Sequence, residues 1–131
     1  MRLYVVRHAE AAPGEPDELR RLTPAGREQA RALAERLVRE GTRLDAVLSS
    51  PLLRARETAA AIGKELGVAV EVDEGLAPGA TAASVRAAIA GRGEAVAIVG
   101  HQPDCSELVS ELSGEPGPVF PPAGMHALTV T

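Results

Sequence analysis

Short apolar runs alternate along the chain with longer segments of helical period. The apolar runs are LYVV (Leu3–Val6), DAVLS (Asp45–Ser49), VAVEV (Val68–Val72), AVAIVG (Ala95–Gly100) and HALTVT (His126–Thr131). Their length and content of Val and Ile suit buried strands. In TPAGREQARALAERLVRE the residues Ala30, Leu33, Ala34, Leu37 and Val38 recur at helical spacing, Thr23 and Pro24 suit N-cap and first helical residue, and Gly41 is the stop. A second helix is expected from Ser50 as cap and Pro51 as first residue through Leu66, with Ala55, Ala59, Ile62 and Leu66 on one face and Gly67 as the stop. A shorter one is expected over Ala82–Ala90, and a last one from Pro103 with Cys105, Leu108, Val109 and Leu112 as its apolar stripe. Strands alternating with helices predict an α/β layered domain around a largely parallel sheet. The stretch SGEPGPVFPPAG (Ser113–Gly124) is irregular, and reads either as a surface connection or as a lid.

Composition narrows the picture. At 131 residues, one domain spanning 1–131 is the expectation, with a core large enough to need no metal or disulfide staple. Aromatics make up only 2% of residues, so Ala, Val, Leu and Ile must build that core, and little is left for stacking bases. A net charge of −4 and a pI near 5.4 lack the basic footprint of a nucleic-acid binder. The single Cys105 cannot form an intramolecular disulfide, and no Cys/His metal-ligand spacing occurs, which suits a reducing cytosol. The N-terminus is too short in apolar residues for a signal-peptide core, and no uninterrupted apolar run reaches spanning length. A soluble cytoplasmic chain with no nucleic-acid or membrane partner is expected.

The strand ends carry the chemistry. In an open α/β sheet, ligands sit outside the carboxyl ends of the strands, where loops and helix N-termini converge. The first strand ends in Arg7-His8 rather than in turn formers; the second ends in Ser49-Ser50, leading into a helix with Arg54 in its first turn; the fourth ends in Gly100-His101. A cation in a first turn opposes the helix dipole at a cost of about 0.3–1 kcal/mol unless an anion sits nearby. Pairing with Glu57 is the plain alternative for Arg54. Two guanidiniums and two imidazoles suit a phosphoryl dianion: arginine forks bind its oxygens and a protonated imidazole adds charge. A zinc site would want neutral histidines with a carboxylate or thiolate, and a Walker-type phosphate cradle is absent. Cys105 falls on an apolar stripe and belongs to the core, which leaves a neutral nitrogen of His8 as the candidate nucleophile.

With these residues in view, the chain resembles the histidine phosphatase superfamily, also called phosphoglycerate mutase-like, and within it the short phosphohistidine phosphatases of the SixA type. VVRHAE matches the family's Arg-His motif, RRLTPAGREQA its RxLTxxG segment, SSPLLRARETA its SPxxRAxxTA segment, and VGHQPDCSELVSEL the region of its second histidine. The resemblance implies a three-layer α/β/α sandwich with a mostly parallel central sheet. It also implies that His8 accepts the phosphoryl group, that Arg7, Arg54 and His101 hold and neutralise it, and that Arg20 lines the mouth of the site or is solvated beside Arg21 and Glu18. No metal or cofactor is implied. The substrate would be phosphohistidine on a protein, such as a phosphotransfer or phosphocarrier protein.

Two departures from the family pattern stand out. Ala9 replaces the usual glycine after Arg-His, so that backbone position need not take φ > 0. The loop DEGLAPGATAAS is short and leaves unfilled the place of the acid with which many ester phosphatases of the superfamily protonate a leaving alkoxide. General-acid help is worth about 10²–10⁴-fold for an alkoxide, whereas imidazole leaving from phosphohistidine is a weak base. The alternatives are a small-metabolite phosphomonoesterase, with Glu74, Asp73, Glu10 or Asp104 as acid, and a phosphate- or phosphohistidine-binding module without turnover. Acids such as Asp104 and Glu107 also suit the first turns of a helix, and His126, opening the last strand, reads as structural or solvated.

Overall fold

The computed structural model describes residues 1–131. The strands are β1 (Arg2–Arg7), β2 (Ala46–Ser49), β3 (Val70–Val72), β4 (Ala95–Gly100) and β5 (Met125–Thr129). The helices are α1 (Pro24–Arg39), α2 (Leu53–Leu66), α3 (Ala82–Ile89) and α4 (Asp104–Ser113), with short 3-10 turns at Asp17–Leu19 and Glu74–Leu76. The sheet runs in the order β3-β2-β4-β1-β5, parallel throughout except for β5, which pairs antiparallel with β1.

Strand alternation sorts the core into two faces. Leu3, Val5, Leu48, Val96 and Ile98 pack against α3 and α4 through Val85, Ile89, Leu108 and Val109. Val6, Val47, Ala97 and Val99 point the other way, against Leu33 and Leu37 of α1 and Ala55, Ala59 and Ile62 of α2. The result is the expected three-layer α/β/α sandwich. Because β2 has neighbours on both sides and helices on both faces, every residue of it is buried, which explains its continuous apolar run. Each buried Val, Leu or Ile contributes roughly 1.5–3 kcal/mol.

Helix boundaries follow local chemistry. Thr23 caps α1 by accepting from the Gly26 N–H, and Gly67 closes α2 with φ +71°. The start of α2 differs from expectation: Leu52 is its N-cap, and Ser50, two residues earlier, accepts from the Leu52 N–H at 3.2 Å while its hydroxyl also contacts His101. Ser113–Gly124 is mostly coil, and its C-terminal part folds back onto β1: Arg7 N donates to Gly124 O and Ala123 N donates to His8 O. No helix is long and apolar enough to cross a membrane.

The fold positions the site through register. Arg7 pairs with Gly100 and Ser49 with Val99, so the adjacent strands β2, β4 and β1 end together and deliver Ser50, His101 and His8 to one edge. Helix α1 braces the loop after His8. A Cβ on Gly26 would lie 2.0 Å from the Glu10 carbonyl oxygen, so only glycine lets the first turn of α1 pack on that backbone. We expect Gly26→Ala to cost about 1–3 kcal/mol in urea unfolding through overpacking; an unchanged midpoint would show that the contact is not tight.

Candidate active site

His8 follows β1 and is half-buried. Its Nδ1 lies 2.7 Å from the Ala9 carbonyl oxygen, an acceptor only, so Nδ1 carries the proton and Nε2 keeps its lone pair. Burial lowers its proton affinity; the Ala9 carbonyl opposes that, and the charges of Arg54, Arg7 and Arg20 reinforce it. The ring is a neutral base with a fixed tautomer. Ala9 is fully buried, has ordinary backbone dihedrals, and donates its N–H to Thr58 Oγ1 at 3.0 Å. Thr58 in turn donates to the Arg54 carbonyl, tying the loop after β1 to the first turn of α2.

His101 is 5% exposed, and its ring centroid is 5.2 Å from that of His8. Its Nε2 contacts Ser50 Oγ at 2.7 Å. Burial, followed by repulsion from His8 and Arg54, pushes its pKa down to about 4, with the Asp17 charge acting in the opposite sense. The expectation of a protonated imidazole therefore does not hold for the unliganded site at neutral pH, where desolvation among cations favours the neutral ring.

The arginines are held by backbone oxygens. Arg7 Nη1 donates to Phe120 O at 2.9 Å, which gives the Pro/Gly-rich segment a role in aiming Arg7. Arg7 Nε is buried with no protein acceptor, an unsatisfied donor of the kind a bound anionic oxygen can satisfy. Arg54 is 7% exposed; it donates from Nη1 to Asp17 O at 2.9 Å and from Nη2 to Asp17 Oδ2 at 3.2 Å, rather than pairing with Glu57. Glu57 instead accepts from Leu22 N. Arg20 donates from Nε to Ala12 O and from Nη1 to Asp17 Oδ1, at 2.8 and 3.0 Å. The five residues singled out in the sequence thus gather at one edge, and three groups join them that pattern reading missed: Ser50, Thr58 and Asp17. Asp17 had a faint signal, an acid three residues before Arg20. The other two look like ordinary helix-start and helix-interior residues.

The acids weighed as proton donors are mostly committed elsewhere. Asp73 accepts from Gly75 N, Asp104 from Gly79 N and Glu10 from the Thr23 hydroxyl, each at 2.8 Å. Glu74 is exposed in its 3-10 turn and has no side-chain hydrogen bond. Asp17, the carboxylate that does touch the site arginines, is held below the ordinary carboxylate range, chiefly by the hydrogen bond from Arg20. Burial raises the Cys105 thiol to about 12, which removes it as a nucleophile. No group of three His, Cys, Asp or Glu side chains is clustered as metal ligands would be.

An imidazole whose Nε2 keeps its lone pair, on a parallel-sheet edge within the influence of the Arg54, Arg7 and Arg20 charges, suits the binding and transfer of a phosphoryl group. The histidine phosphatase superfamily (branch 1) profile matches residues 3–78, more than half of the chain. The chain is 32% identical over 138 aligned residues to phosphohistidine phosphatase SixA of Escherichia coli, covering 99% of this chain and 86% of that protein. It is 33% identical to the SixA homolog of Haemophilus influenzae, with 98% and 87% covered. A solved structure of the protein histidine phosphatase SixA complexed with tungstate superposes with a TM-score of 0.89 at 30% identity, covering 98% of this chain and 88% of that one. The chain belongs to the histidine phosphatase superfamily and is a phosphatase of the SixA kind.

The low proton affinity of His101 has a measurable consequence. Between about 4 and its ordinary 6.5, the unfolded chain binds a proton that the folded chain does not, so His101 destabilises the fold as pH falls through that window. We expect an NMR titration of the phosphate-free protein to place His101 near 4; a value near 6.5 would contradict the geometry. Occupation by an oxyanion should raise it.

Proposed function

We propose that the protein hydrolyses phosphohistidine borne on a protein, through a covalent phospho-His8 intermediate. The observation that carries this reading is the 2.7 Å bond from His8 Nδ1 to the Ala9 carbonyl, which presents Nε2 as the unprotonated nucleophile among the site arginines. Nε2 attacks phosphorus in line, forming a new N–P bond as the substrate's P–N bond breaks. The bonding pair goes to the departing ring nitrogen, and the proton on that ring's other nitrogen stays, so neutral imidazole leaves. Arg7, Arg54 and His101 stabilise the charge on the transferring oxygens, with Arg20 at the mouth. Water then attacks phospho-His8, and His8 departs in the same way, its Nδ1 proton held throughout by Ala9. Neither half-reaction needs a general acid, and of the acids weighed for that role Asp73, Asp104 and Glu10 are engaged in other hydrogen bonds.

The cavity that reaches the catalytic edge is lined by His101 and Asp104 and otherwise mostly by apolar residues such as Val5, Leu76 and Val85, with none of Arg7, His8 or Arg54 in its wall, which favours a protein-borne phosphoryl group. A small metabolite would be recognised better in a concave pocket. The names of the relatives and the tungstate bound to one of them support an oxyanion site and a phosphohistidine substrate. We further propose that residues 1–131 act as one histidine phosphatase domain in the cytoplasm, on a phosphotransfer or phosphocarrier protein. The second reading, a phosphomonoesterase, is favoured only by Glu74, whose carboxylate is free.

Three measurements check this. In EDTA, kcat/KM for a histidine-phosphorylated carrier protein should exceed that for alkyl phosphomonoesters by at least about 10²-fold, the lower range of general-acid help; the reverse preference, abolished by Glu74→Gln, would establish the esterase. His8→Ala should lose turnover and retain vanadate binding, and appreciable residual turnover would remove His8 as nucleophile. Added divalent metal should not be required.

A further inference from the structure

Asp17 is the one carboxylate paired with the arginines around His8. Its Oδ1 is 3.0 Å from Arg20 Nη1 and its Oδ2 is 3.2 Å from Arg54 Nη2. Its side chain is 60% exposed while that of Arg54 is 9% exposed, so the carboxylate lies on the solvent side of the guanidinium. In an in-line displacement the leaving group points away from the nucleophile; His8 is half-buried and Asp17 exposed, so a phosphoryl group held between His8 and solvent would release its leaving group toward the side on which Asp17 lies. We propose that Asp17 is a specificity residue that accepts the N–H of a departing imidazole, and thereby selects phosphoryl groups carried on a ring nitrogen over those carried on oxygen. The proposal rests on the phosphohistidine reading above.

The chemistry separates the two substrate classes. A phosphorylated imidazole leaves well only with its second nitrogen protonated, and in the transition state that ring carries partial positive charge and offers an N–H donor. A carboxylate has roughly four lone-pair positions, of which Arg20 and Arg54 occupy one each, so acceptor capacity is left for that donor in a charge-assisted bond. In ester cleavage the departing oxygen gains negative charge, which an ionised carboxylate repels. Asp17 has no proton to give it, because Arg20 holds the carboxyl ionised. Attraction to one leaving group and repulsion of the other act together in specificity. The Arg54 bond to the Asp17 main-chain oxygen does not depend on the side chain, so replacing the carboxylate leaves one anchor of Arg54 in place.

The test compares a histidine-phosphorylated carrier protein with p-nitrophenyl phosphate for the wild type, Asp17→Asn and Asp17→Glu. With a solvent-exposed charge, the expected drop in the ratio of kcat/KM values for Asp17→Asn is about tenfold, and Asp17→Glu, which keeps the charge, should recover most of it. Losses of equal size on both substrates, leaving the ratio at its wild-type value, would overturn the proposal and reduce Asp17 to a prop for Arg54. Failure of the underlying reading shows separately: a wild type inactive on phosphohistidine overturns both, and is seen before any variant is made.

Discussion

Everything at this site follows from the need to hold cationic groups together before any substrate anion arrives. Arg7 and Arg54 flank two imidazoles whose rings are 5.2 Å apart, and unscreened repulsion among four charged groups would drive them apart. The protein meets this in two ways. Burial keeps both imidazoles neutral at pH 7, and the guanidiniums are aimed by main-chain carbonyls of Phe120 and Asp17. These anchors add no full charge that a phosphoryl group would have to displace. The only full negative charge, on Asp17, sits on the exposed side of the site.

That arrangement explains why the fold has to be a three-layer sandwich with this strand order. Three adjacent parallel strands, β2, β4 and β1, must end in register for Ser50, His101 and His8 to meet. Each must be rigid enough that a ring fixed by one hydrogen bond stays fixed. Packing on both faces of the sheet supplies the rigidity. The contacts Ala9 to Thr58, Leu22 to Glu57 and Gly26 against Glu10 fasten the following loop to α1 and α2. Preorganisation of this kind is where most of the catalytic advantage in phosphoryl transfer arises.

Much of this was legible in the chain. Short apolar runs marked the strands, most plainly β2, whose four residues are all buried, and period-3.6 stripes marked the helices, each of which buries one face. The gathering of Arg7, His8, Arg54 and His101 at one edge could be read because these are unusual residues for strand ends and a helix start. What stayed hidden depends on contacts distant in sequence. Asp17 meets Arg54 across 37 positions, Phe120 O meets Arg7 across 113, and Ser50 meets His101 across 51. A backbone carbonyl has no sequence signal at all, and a serine beside a proline reads as a cap. The neutral state of His101 was likewise invisible, since it is set by how deeply the ring is buried.

The central claim is that His8 Nε2 forms a bond to phosphorus, and the most direct measurement is to trap it. Rapid quenching into base of the protein mixed with a 32P-labelled phosphohistidine carrier, followed by peptide mapping, should find acid-labile, base-stable label on His8 within the first turnover. Label on another residue, or steady turnover with no phosphoprotein formed, would contradict the account.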